Sequence, residues 1–169
     1  VSASADKTVK VWSGTDRRAL LTLDQRESGL CGIAFNNTGR QLVAGCSDGK
    51  LIWWQLNYNA TKHEYSAARI RIQEYHPGGL VSFGISQDRK RIITSGYDHT
   101  IRVIDIATNR NIKTFPIASK NIITTALSQD GKLAAIGLQD GTIRLLSIDD
   151  SMVDQTIPLP PIPVSSTEP

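Results

Sequence analysis

An aspartate opens the same short pattern four times in this chain, as SADKTVKVW, CSDGKLIWW, GYDHTIRVI and LQDGTIRLL. The aspartates are Asp6, Asp48, Asp98 and Asp140, separated by 42, 50 and 42 residues. Each is followed by a tight turn and then a run rich in Val, Ile, Leu and Thr, which is how a hairpin turn feeds a strand. One strand-rich unit of this size cannot cover its own apolar faces, so copies must stack on one another. A chain built this way presents a composite surface, and its chemistry has to be sought there.

The rest of each unit repeats in phase. Inner strands are predicted at LCGIAFN (30–36), LVSFGIS (80–86) and IITTALS (122–128), followed by the turns NTGRQ, QDRKR and QDGKL. Second strands then run through LVAGC, IITSG and LAAIG into the aspartate turns. No long segment carries apolar residues at helical spacing. A period of roughly 40–45 residues with four strands per unit predicts an all-β β-propeller, its four-stranded antiparallel blades fanned around an axis. About three and a half blades are expected: the outer strands of blade 1 in residues 1–24, then blades over 25–73, 74–116 and 117–157. Ala34, Gly84 and Ala126 occupy one aligned position of the inner strands, where converging strands exclude bulk.

These segments resemble the WD-repeat β-propeller family, in register over nearly all of residues 1–157. In that family a histidine bonds the turn aspartate and is linked through a strand Ser or Thr to a Trp. The resemblance therefore implies a structural hydrogen-bond set drawn from Asp6, Asp48, Asp98, Asp140, His76, Thr94, Trp12 and Trp54. It is complete nowhere. The Trp position holds Ile104 and Leu146 in the third and fourth units, and the His position holds Arg26 and Ala118 in the second and fourth. Only the third unit keeps His76, Thr94 and Asp98 together; in the first, Ser2, Asp6 and Trp12 form the remnant. The expected blades are thus degenerate and held mainly by apolar packing.

The resemblance further implies a docking face at the end bearing the aspartate turns. The residue before each aspartate should point up there: Ala5, Ser47, Tyr97 and Gln139. Tyr97 is the expected anchor, since aromatic residues dominate binding hot spots. Arg26, Glu27, Tyr75 and Lys120, on the connecting loops, are expected to complete a polar rim. The expected function is a non-catalytic protein–protein interaction scaffold that docks a peptide or partner domain. The alternative is a regulatory or sensor module of a larger ATPase or kinase-type signalling protein.

No enzyme is assembled by the candidate residues. His76 and Asp98 lack a placed nucleophile, and His99 with Asp98 supplies at most two ligands where a structural zinc takes four. An axial site would draw on Cys31, Ser82 and Thr124, which offer no acid or base. Neither a cofactor nor a metal is expected. Net charge is +3, from 19 basic and 16 acidic residues, a mild excess that predicts no nucleic-acid partner. No apolar run reaches the 18 residues of a membrane span. Cys31 and Cys46 are expected as buried, reduced thiols, which favours the cytoplasm. The insertion NYNATKHEYS (57–66) lengthens the second unit and is expected as a hairpin decoration at the opposite rim. Beside it Arg69 and Arg71 should face out, with Ile70 and Ile72 facing in. Residues 158–169 are proline-rich and expected to be a disordered tail. The chain is expected to be the C-terminal part of a larger propeller.

Overall fold

A computed structural model describes residues 1–24, 28–117, 122–149 and 154–158. The described residues form strands and turns and no helix. The first sheet has the order β1 (Ser2–Ala3), β2 (Thr8–Trp12) and β3 (Ala19–Asp24). In the second, β4 (Leu30–Phe35), β5 (Gln41–Cys46), β6 (Lys50–Asn59) and β7 (Glu64–Glu74) follow in order. The third holds β8 (Leu80–Ile85), β9 (Arg91–Gly96), β10 (Thr100–Asp105) and β11 (Asn111–Pro116). The fourth holds β12 (Ile122–Leu127), β13 (Leu133–Leu138), β14 (Thr142–Ser147) and β15 (Asp154–Pro158). All pairing is antiparallel between sequence neighbours, as short hairpin connections require. These sheets are the blades of a β-propeller.

Alternation along the central strands divides the core into one layer per sheet interface. Ile52 and Trp54 of β6 pack towards the first sheet, with Val9, Val11, Leu42 and Ala44. Their neighbours Leu51 and Trp53 pack the other way, with Val43, Ile92 and Ile104. Ile93, Ile101 and Val103 then meet Ala134, Ile136 and Leu146. A strand covered on both faces reads as a continuous apolar run, which is why LIWW and RIITSG show little alternation. At Gly84, an added Cβ would lie 3.2 Å from the Thr125 carbonyl of the next sheet. The small residue there is set by backbone approach.

Bulges recur in phase. Each inner strand breaks register once, leaving Cys31, Val81 and Ile123 as the extra residue. Three outer strands do the same, at Leu20, Ile70 and Ile112. The latter bulges overturn one expectation: Ile70 and Ile72 do not face in but are 47 % and 39 % exposed. An outermost strand lies beyond the layers between sheets, and the extra residue breaks its alternation. Cys31 likewise is exposed while Cys46 is buried, because the bulge turns Cys31 off the packed face. Burial pushes the Cys46 thiol up to about 11. The expected tail lies outside the described residues apart from Pro158.

Candidate docking face

The four aspartate turns share one geometry. The Oδ1 of Asp6, Asp48, Asp98 and Asp140 accepts the backbone N–H two residues on, from Thr8, Lys50, Thr100 and Thr142, at 2.9–3.2 Å. The intervening residue takes the left-handed conformation: Lys7 (φ 70°), Gly49 (φ 88°), His99 (φ 56°) and Gly141 (φ 81°). Asn and Asp favour such turns because the side chain replaces a backbone acceptor. Where no histidine is present the carboxylate is thus satisfied by turn amides. His99 is explained by its place in the turn; among the described residues no group of three His, Cys, Asp or Glu is arranged to hold a metal.

The third sheet carries the fullest hydrogen-bond set. His76 Nδ1 lies 2.9 Å from Asp98 Oδ1, and its Nε2 lies 2.8 Å from Thr94 Oγ1. Thr100 Oγ1 donates to Asp98 Oδ2 at 2.9 Å. His76 is fully buried, and burial lowers its pKa although Asp98 pulls the other way. The arrangement suits a neutral imidazole that donates from Nδ1 and accepts from Thr94. Burial also opposes the Asp98 carboxylate, but hydrogen bonds from His76 and Thr100 outweigh it and hold that pKa below the ordinary value. Elsewhere the set is cut down. Trp12 Nε1 donates to Ser2 Oγ at 2.9 Å, while Asp6 bonds Thr8 instead. Trp54 is buried in the layer between the first two sheets.

Backbone contacts stitch successive sheets together at this end. Ser4 O accepts from Leu30 N at 3.4 Å, and Ser47 O from Leu80 N at 3.3 Å. Tyr97 is held the same way within its own sheet, its N–H donating to Gly79 O at 3.1 Å. Gly78 and Gly79 have φ of 89° and 120°, and a Cβ on Gly79 would approach the Tyr97 ring to 3.3 Å. The HPGG segment is therefore a bare bed on which the ring lies, and only glycine fits both the backbone and the ring.

Ala5, Ser47, Tyr97 and Gln139 are all exposed at this end, Tyr97 at 69 %. Tyr97 and Gln139 border a cleft of about 350 Å³ between the third and fourth sheets, together with Val81, Gly96, His99, Ile122 and Ile123. Ser47 stands on the neighbouring turn and does not line it. Tyr75 is a correction to the sequence reading: it is 2 % exposed, with its ring centroid 6.0 Å from that of Trp53. Its hydroxyl donates to Asn109 O at 3.0 Å. Its N–H is bound to Gly49 O, which draws the side chain under the loop and out of any rim. Arg26, Glu27 and Lys120 lie outside the described residues. His99 and Ile123 were missed as lining residues. His99 was legible from its neighbour Tyr97, but Ile123 is turned out by a bulge that leaves no local mark.

Blades stacked in sequence order, with an aspartate turn crowning each, define a repeat propeller with a loop-bearing face. Comparison with known proteins gives the class its name. The family of the WD domain, G-beta repeat, matches residues 17–55 and 68–105, and these matches place the chain among the WD-repeat β-propellers. Each matched repeat starts on the outer strand of one sheet and finishes on the third strand of the next, so it straddles a sheet boundary. The chain is similar to guanine nucleotide-binding protein subunit beta-like protein 1 of Mus musculus, 25 % identical over 85 % of this chain and 42 % of that protein. It is 28 % identical to WD repeat-containing protein 3 of Mus musculus, over 88 % of this chain and 16 % of the relative. With pre-mRNA-processing factor 19 of Bos taurus the figures are 26 %, 74 % and 24 %. The chain spans less than half the length of each of these curated relatives. Such relatives support a general role in protein interaction.

Proposed function

We propose that this chain is a non-catalytic docking module that binds a peptide or partner domain at the aspartate-turn end, with Tyr97 as its anchor. The observation that carries the reading is the Tyr97 ring, exposed yet held against Gly79 beside a cleft with apolar walls. An aromatic side chain already fixed in place loses little entropy on binding. Gln139, His99 and the Asp98 turn give the cleft polar edges, while Val81, Ile122 and Ile123 give it an apolar floor. This is the usual anatomy of a recognition site.

The test is a Tyr97→Ala chain compared with the wild type in quantitative pull-down, followed by titration calorimetry with the recovered partner. Loss of a central aromatic hot spot typically costs about 2 kcal/mol or more, roughly a thirty-fold weakening. The circular dichroism spectrum and melting temperature should not move, since the ring packs on glycine and not in the core. Equal recovery of the same partners at equal affinity would overturn the assignment.

A further inference from the structure

The two ends of the sheets differ in charge, and the end away from Tyr97 is basic. The turn after β2 carries Arg17 and Arg18, the turn after β4 carries Arg40, and the turn after β8 carries Arg89 and Lys90. Arg110 and Lys132 follow after β10 and β12. Asp16, Asp88 and Asp130 share these turns and are exposed, and Glu64, Asp105 and Asp149 lie at the same end, so the bases are in excess there but not alone. Asp88 Oδ1 accepts from Ser86 Oγ and Lys90 N, and Asp130 Oδ1 from Ser128 Oγ and Lys132 N. Only Asp16 pairs with a base in its own turn, with Arg18 at 2.8 Å.

The β4–β5 turn differs from its counterparts in having no acid. Asn36 does the carboxylate's work, its Oδ1 accepting from Arg40 N and Gln41 N at 3.1 Å each. Arg40 therefore stands beside a neutral turn, and its guanidinium has no partner among the described residues. It opens onto a groove of about 430 Å³ shared with Gln55, Asn57, Tyr58 and Tyr65. Gly39, Leu56 and Tyr65 also line a second, adjacent cavity of about 320 Å³ between the first two sheets. The second compartment is lined by the apolar side chains of Trp12, Leu20, Leu21 and Phe35 together with Ser13 and Gly14. The 57–66 insertion forms its wall. The strands stay paired out to Asn59 and Glu64, and the Tyr58 and Tyr65 rings meet at 4.8 Å between centroids. Tyr58 Oη lies 3.0 Å from His63 Nδ1.

We infer that this groove docks an extended acidic peptide segment of a partner protein. One apolar side chain fills the compartment beside Trp12 and Leu21, and an Asp or Glu next to it meets Arg40. Charge complementarity selects the sign of the partner. The concave apolar compartment selects a peptide over other polyanions, because a phosphodiester chain has no aliphatic side chain to bury and an anionic bilayer is flat. The site is at the opposite end from Tyr97 and is independent of it.

A displayed random-peptide library selected on the immobilised chain, with Arg40→Glu as the counter-selection, tests the inference. Enriched peptides are expected to carry Asp or Glu flanking a Leu, Phe or Trp. A fluorescein-labelled winner should bind the Arg40→Glu and Tyr65→Ser chains at least about ten-fold more weakly. Replacing its acids by Asn and Gln should weaken it similarly. Both variants should keep the wild-type circular dichroism spectrum and Tyr97-dependent binding at the other face, which separates loss of this site from loss of the fold or of the Tyr97 site. The inference is overturned if the winners lack acidic residues or bind Arg40→Glu as tightly as wild type. Stronger binding to oligodeoxythymidine or to phosphatidylserine vesicles than to any peptide overturns it as well.

Discussion

His76 shows how one side chain can tie two loops together without chemistry. Its imidazole spans Asp98 and Thr94, and replacing Thr94 by Val would leave Nε2 buried without a donor, at a cost of about 1–3 kcal/mol. The same geometry fixes a pH response. His76 has a folded pKa below its ordinary 6.5, so the unfolded chain takes up a proton first as pH falls. Its stabilisation is complete above 6.5 and is lost progressively below it. Asp98, also lowered, contributes above 3.8 and fails only in stronger acid. The expected outcome is a melting temperature that drops between pH 7 and pH 5, with a smaller drop in His76→Asn. Equal drops would assign the response elsewhere. Tyr75 and Tyr97 carry the lesson on site legibility. Position before a turn aspartate was enough to expose Tyr97, whereas Tyr75 precedes the histidine of a loop, where no local pattern says which way a ring turns.

At the level of the element, turns and bulges are decided by what lies across the sheet boundary. Gly49 and Gly141 hold the same place in their turns, with φ of 88° and 81°. A Cβ on Gly49 would sit 1.8 Å from the His76 carbonyl oxygen, while one on Gly141 would meet nothing within 4 Å. Gly141→Ala is expected to cost only the conformational penalty of about 1–2 kcal/mol. Gly49→Ala adds a backbone clash and should cost roughly 1–3 kcal/mol more. Urea midpoints of the two variants measure the difference directly, and equal midpoints would mean that the two sheets are not joined at that turn. The turns were readable because Asp-Gly and Asp-His select them chemically. The bulges at Cys31, Val81 and Ile123 were not. An extra residue in a strand alters no composition and shows only as a slipped partner.

For the molecule as a whole, the packing layers run between sheets, so stability should be graded from the centre of each blade outwards. Leu42, Ile52, Ile92 and Val103 on the second and third strands are fully buried or nearly so, while β7 and β11 show exposed residues along most of their length. Amide hydrogen exchange is expected to be slowest in β5, β6, β9 and β10 and faster in β7 and β11; the reverse order would contradict the layered core. Blades 3 and 4 are also latched at the basic end. Arg91 Nη1 donates to Gly131 O at 2.9 Å and to Asp149 Oδ1 at 3.0 Å, and Lys113 Nζ reaches Ile148 O at 3.1 Å. The result is a stack with an acidic, turn-crowned end and a basic end, each with its own groove.

The linear pattern alone determined the number, order and phase of the strands, because turn chemistry and apolar runs are local and recur at a constant period. It also placed Ser47, Tyr97 and Gln139 on a common crest, since that follows from counting to the next aspartate. Folding decided which of these share a cleft, that Tyr75 is buried, and that Ile70 and Ile72 are exposed. It decided as well that the basic turns gather at one end, opposite Asp6, Asp48, Asp98 and Asp140. Those outcomes depend on neighbouring sheets that are distant in sequence, and on slips of a single residue that reverse a side chain's face.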